Sequence, residues 1–144
     1  ATKFGLPFRH VPTYLAGYYK YKAGDQFTEG GKPVNGKRDI CDIYAIMYET
    51  SESVPTLDGT NAFTSPNLIS TARINNAKET NEWTYFKLPF TTLPGKFIDK
   101  EKLMDGKYNI AIVFTSSLEG DHFNGAIGST LLIDEAELIY HSED

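Results

Sequence analysis

ICDIYAIMYE, residues Ile40–Glu49, is the stretch whose reading decides the fold. Its apolar side chains fall on both parities: Tyr44, Ile46 and Tyr48 on one, Ile43, Ala45 and Met47 on the other. A strand with that pattern belongs in the middle of a sheet, with something covering both faces. Reading outward, Tyr108–Ser116 (YNIAIVFTS) is a second buried strand. Tyr14–Lys22 (YLAGYYKYK), Asn67–Ile74 (NLISTARI), Glu82–Phe90 (EWTYFKLPF) and Thr130–Tyr140 (TLLIDEAELIY) complete six strong strand signals. The pair 67–74 and 82–90, with a turn at Asn75-Asn76, reads as a β-hairpin. The stretches between strands carry turn residues, as in Asp25–Asp39 with Gly30-Gly31, Pro33 and Asn35-Gly36. One helical turn is expected over Ile98–Asp105, capped by Asp99 and ended by Gly106. Many strands, regular turn signals and almost no helix predict an all-β antiparallel sandwich of the jelly-roll type. Residues 1–13 read as a linker or edge segment, and 14–141 as the sandwich domain.

The composition narrows the function. The chain has 144 residues and a formal net charge of -5, which argues against nucleic acid as a partner. No apolar run approaches 18 residues, so no membrane insertion is expected. Cys41 is the single cysteine, which excludes an intrachain disulfide and points to a small buried residue. The first residue is Ala1 and no leader is present, so the chain is expected to be a piece of a longer polypeptide carrying an additional domain.

Catalytic patterns are missing: there is no nucleophile elbow and no phosphate-binding glycine loop. The histidines His10, His122 and His141 do not suggest a triad or a three-histidine metal site. Asp42, Glu49, Asp134 and Glu135 are candidates for the carboxylate pair a glycoside hydrolase would need, but Asp42 and Glu49, at strand ends, read as solvated or capping acids. No catalytic residue is expected, and no cofactor. Alternation groups Asp134 with Leu132, Ala136 and Leu138, so it is expected to point inward. There a loop hydrogen bond, or a structural calcium, would satisfy it.

Aromatic residues make up 13% of the chain. Sugars stack their C–H faces on rings, and a sheet face with rings at alternate positions supplies a platform. Tyr19 and Tyr21 share one face, Tyr44 and Tyr48 another, Trp83 and Tyr85 a third. The competing reading makes them cross-strand pairs that fix register. Arg73 would hold a sugar hydroxyl or carboxylate, or pair with an acid such as Glu49.

The stretches GYYKYKAG (17–24), DICDIYAIMYE (39–49), LDGTN (57–61), EWTYFKLPF (82–90), GKYNIAIVFTSS (106–117) and GAIGSTLLIDEAEL (125–138) resemble the putative carbohydrate metabolism domain family. More distantly, the Trp strand ending in Pro-Phe and the Gly-Ser strand ending in Ile-Asp-Glu are similar to carbohydrate-binding modules of the galactose-binding-like jelly roll. The resemblance implies two antiparallel sheets. One would hold 43–49, 68–74, 83–90 and 130–140, and the other 14–22 and 108–116. It also implies a glycan partner and a place in a larger, exported and often lipid-anchored protein of polysaccharide use, periplasmic or at the outer cell surface. In this wider fold a Trp at position 83 can pack beneath the sheet. The expected function is a non-catalytic carbohydrate-binding module. Tyr19, Tyr21, Tyr44 and Tyr48 would stack, Arg73 would bond to hydroxyls, and loops 50–66 and 117–128 would form the rim with Asp58 and Asn61. The alternative is a structural or adhesive module that contacts proteins through a sheet edge.

Overall fold

The computed structural model describes residues 11–51, 63–75, 77–118 and 124–140, and the backbone course of 3–4, 6–8 and 57–58. The elements in chain order are β1 (Lys3–Phe4), β2 (Leu6–Phe8), β3 (Pro12–Lys22), β4 (Phe27–Glu29), β5 (Lys32–Pro33), β6 (Asp42–Glu49), β7 (Leu57–Asp58), β8 (Leu68–Arg73), β9 (Thr84–Pro89), β10 (Thr91–Thr92), α1 (Lys100–Met104), β11 (Tyr108–Thr115), β12 (Gly125–Ala126) and β13 (Thr130–Tyr140). Every pairing is antiparallel.

Two sheets carry the architecture. A five-stranded sheet runs β10-β8-β6-β11-β2 and a three-stranded sheet runs β13-β3-β9. They share one core. Leu15, Tyr19 and Tyr21 from β3 and Phe86 and Leu88 from β9 pack against Ile43 and Ala45 of β6 and Ala72 of β8. The core continues through Met47, Ile69, Leu103, Tyr108 and Ile110. A separate cluster lies on the other side of β6: Tyr44, Ile46 and Tyr48 with Leu68 and Ala111, covered by Phe63, Leu93 and Val113. That second layer is why β6 is apolar on both parities. Each fully buried large side chain contributes roughly 1.5–3 kcal/mol of transfer free energy.

The strand-to-sheet assignment differs from the expectation for three strands. Strands β9 and β13 flank β3, and β11 lies beside β6. The expected hairpin of 67–74 and 82–90 does not form, because β8 and β9 belong to different sheets. The chain instead changes sheets at Phe90, whose N–H bonds to Thr13 while the N–H of Leu93 bonds to Ile69. Residues 25–39, read as a loop, contain a tight hairpin. β4 and β5 are joined by Gly30-Gly31, both at positive φ (57° and 86°), which suits the two-residue turn that matches strand twist. The helical turn forms as expected. The Asp99 carboxylate accepts from the N–H groups of Glu101 and Lys102, and Gly106 at φ 71° ends it.

Candidate functional site

β3 alternates so that one parity is core and the other faces solvent. Leu15, Tyr19 and Tyr21 point at the five-stranded sheet, while Tyr18, Lys20 and Lys22 point away from it. The antiparallel register places Tyr85 directly opposite Tyr18, and Asp134 opposite Tyr18 on the other side. Lys20 lies opposite Leu132, and its ammonium sits 4.8 Å from the Trp83 ring centroid. The outer face of the three-stranded sheet thus carries a row of rings. Tyr18 is 36% exposed, Trp83 44% and Tyr85 52%. Tyr18 and Tyr85 pair at 5.2 Å between centroids, tilted by 55°. Further along, the Lys87 ammonium lies 4.4 Å from the Tyr14 ring centroid.

Two features hold this face in place. A Cβ on Gly17 would meet Phe86 Cζ at 2.9 Å and the Ala136 backbone at 3.2 Å. A side chain there would therefore displace the buried Phe86 ring and crowd the β13 backbone at Ala136. At Glu135 the chain takes φ 52° in a β-bulge between Asp134 and Glu137, and the Asp134 carboxylate accepts from the Glu135 N–H. Asp134 is exposed and lies on the outer face. The expectation that it points inward fails, because Leu131 and Ile133 hold the inward parity.

The four expected tyrosines are buried. Tyr19 (6%) and Tyr21 (2%) belong to the core between the sheets; Tyr19 packs edge-on to Phe86, and the Tyr21 hydroxyl donates to the Ser116 carbonyl at 2.7 Å. Burial pushes the Tyr21 hydroxyl up to about 12. Tyr44 (7%) and Tyr48 (0%) lie on the outer side of the five-stranded sheet beneath its second layer, and the Tyr48 hydroxyl accepts from Asn109 Nδ2 at 3.2 Å. A buried ring cannot stack on a sugar, so these four form no platform. Arg73 is fixed by Asp42 through two bonds of 3.2 and 2.7 Å, and its guanidinium lies 4.1 Å from the Phe63 ring centroid. Glu49, its suggested partner, pairs with Lys102 at 2.7 Å instead. Asp58 pairs with Lys3 through the β7–β1 backbone, and its side chain lies outside the described residues, as do Asn61, His10, His122, His141 and residues 52–56, 59–62 and 119–123 of the two expected rim loops. Trp83, which in the wider fold can pack beneath a sheet, is exposed on top of one.

Tyr18 and Lys20 are the residues that sequence reasoning left out. The signal was present: Lys20 and Lys22 share parity with Tyr18, whereas Leu15 shares parity with Tyr19 and Tyr21.

Two further buried groups hold structure. The Asp39 carboxylate is buried and accepts from the Ser117 and Ser129 hydroxyls and from the N–H groups of Ala126 and Ile40. Cys41 is buried as expected, and burial pushes its thiol up to about 11. Among the described residues no group of three His, Cys, Asp or Glu could hold a metal ion. A cleft of about 550 Å³ opens where the sheets part, lined by Val11, Tyr14, Ser70, Phe90, Ile98 and Tyr140 among others.

The sequence model of the family described as "Putative carbohydrate metabolism domain" matches residues 1–139. The chain belongs to this family. Two solved structures are similar to it. One, described as a putative glycoside hydrolase from Bacteroides thetaiotaomicron VPI-5482, is 89% identical with a TM-score of 0.97 and matches 99% of this chain. The other, described as a putative glycoside hydrolase from Bacteroides vulgatus ATCC 8482, is 47% identical with a TM-score of 0.91 and matches 98%. The chain spans 42% of the first protein and 57% of the second. No curated protein matches it. This is a carbohydrate-related, nearly all-β domain, and no helix among its described residues is long and apolar enough to cross a membrane.

Proposed function

We propose that this member of the family is a non-catalytic carbohydrate-binding module of a larger exported protein, and that it binds glycan on the outer face of the three-stranded sheet. The observation that carries the reading is the row of exposed rings Tyr18, Tyr85 and Trp83 on a rigid antiparallel sheet, with polar groups at its flanks. Ordered aromatic rings offer large contact area at small entropic cost, and their tilted pairing suits a twisted glycan. A polymeric ligand is too large to cross a membrane, which supports the exported part of the reading. The two similar proteins are longer than this chain, so the hydrolase chemistry in their descriptions has room elsewhere in them. Two of the four flagged acids support the non-catalytic reading, since Asp42 is paired with Arg73 and Glu49 with Lys102.

The test is a glycan-array screen of the parent beside a Trp83→Ala, Tyr85→Ala double variant, with circular dichroism on both. Binding by the parent that is lost in a folded variant supports the reading. Binding that survives in the variant moves the surface elsewhere, and a parent that binds nothing overturns it.

A further inference from the structure

Four cations elsewhere on the molecule are paired with carboxylates: Lys37 with Glu29, Arg38 with Glu79, Arg73 with Asp42 and Lys102 with Glu49. Lys20 and Lys87 are different. Their ammonium groups rest against the rings of Trp83 and Tyr14, and neither forms an ion pair with a described residue. Both stand on the outer face of the three-stranded sheet, Lys20 in the row of Trp83 and Lys87 opposite Ala16. The acids of the same face, Asp134, Glu135 and Glu137, are segregated on β13, where Asp134 is engaged by the bulge. A ring contact orients an ammonium without cancelling its charge. Lys20 is four positions beyond Ala16 along β3, so the strand rows that carry the two lysines lie roughly 13 Å apart, on either side of the Tyr18–Tyr85 pair.

We infer that the glycan bound on this face is acidic, carrying carboxylate or sulfate groups that meet Lys20 and Lys87 while its rings stack on Tyr18, Tyr85 and Trp83. This inference rests on the binding-module reading and names the ligand class of that same face. The chain carries a formal net charge of -5, so the whole molecule repels an acidic polymer. A preference for one must arise from the local lysines.

The experiment is calorimetric titration of the parent, Lys20→Met, Lys87→Met and Trp83→Ala with matched ligand pairs: polygalacturonate against its methyl ester, and dextran sulfate against dextran. The measurements are made at low and moderate salt. For at least one pair the parent is expected to bind the charged member at least tenfold more tightly. Added salt should narrow the gap, and each lysine variant should lose most of the preference while keeping its affinity for the uncharged member. Trp83→Ala should weaken both members. Equal affinity for charged and uncharged members, or lysine variants that keep the preference, overturns the inference and leaves the binding reading standing, provided Trp83→Ala still weakens both. Failure of every ligand to bind the folded parent overturns both.

Discussion

Two sheet faces point away from the shared core, and both carry tyrosines. On the five-stranded sheet, Tyr44 and Tyr48 lie under Phe63 and Leu93, and Arg73 is clamped to Asp42 beside them. On the three-stranded sheet, Tyr18 and Tyr85 lie open with Trp83, and the neighbouring lysines rest on rings. The residue types are the same and the backbone geometry is the same. What differs is a covering layer. The chain around Phe63 and the strand-to-turn passage at Leu93 return over the first face, while no described segment returns over the second. A tyrosine at a strand position becomes core or contact surface according to what the topology lays over it.

The sharpest way to break this comparison is to truncate one ring of the covered face. Tyr48 is fully buried among Leu68, Ala111 and Ile46. Tyr48→Ala should lower stability by about 3–5 kcal/mol through the lost transfer energy and the cavity left behind. Urea unfolding followed by tryptophan fluorescence reads it out. A loss under about 1 kcal/mol would mean the layer above the ring is not formed in solution.

Next in size is the clamp at the edge of the same face. Arg73→Ala leaves the Asp42 carboxylate, almost fully buried, without its partner. Breaking a fully buried pair costs about 3–5 kcal/mol, but Arg73 is partly solvated, so about 2–3 kcal/mol is expected. Arg73→Lys should recover only part, since one ammonium cannot reproduce the two-bond fork. Full recovery in thermal unfolding would show that charge alone matters there.

The shared core supplies a third test through pH. Burial holds the Tyr21 hydroxyl protonated up to about 12, against 10.0 unfolded. The folded state therefore keeps a proton that the unfolded state releases. Tyr21's contribution is fully present below pH 10 and falls away between pH 10 and about 12. Two pH units correspond to about 2–3 kcal/mol. Tyr21→Phe should cost about 1–2 kcal/mol at pH 7, by leaving the Ser116 carbonyl without its donor. It should also flatten the alkaline decline measured by unfolding from pH 8 to 12. An unchanged slope would assign the decline to Cys41, whose thiol is likewise raised by burial.

Much of the fold was legible because local rules and tertiary context agree. The two-parity pattern of 42–49 announced a strand covered on both sides, and Asp99 with Gly106 announced a single helical turn. Which sheet each strand joins was not legible. The crossing at Phe90 depends on backbone bonds to Thr13 and from Leu93 to Ile69, which no local signal encodes. The candidate site was half legible. The i, i+2 spacing of Trp83 and Tyr85 was visible, and its solvent-facing partner on β3 was Tyr18 rather than Tyr19, as Lys20 and Lys22 mark. Asp134 could not be placed by alternation because the bulge at Glu135 interrupts the period of two.

The smallest expected effect on stability belongs to the open face. Tyr85 is more than half exposed, and its main partner is Tyr18 at 5.2 Å between centroids. Truncation to Ala removes one tilted ring pair and some surface packing, so Tyr85→Ala should cost about 1 kcal/mol or less. If the face is a binding surface, the same substitution should weaken glycan affinity by tenfold or more, because a stacked ring contributes most where it displaces water from the ligand. Tyr48→Ala, partly refolded at low temperature, should do the reverse, with a large stability loss and little change in affinity per folded molecule. The two variants together separate cover from contact. A large stability loss at Tyr85 would mean that this face, too, is held down by a layer, and the asymmetry between the two faces would disappear.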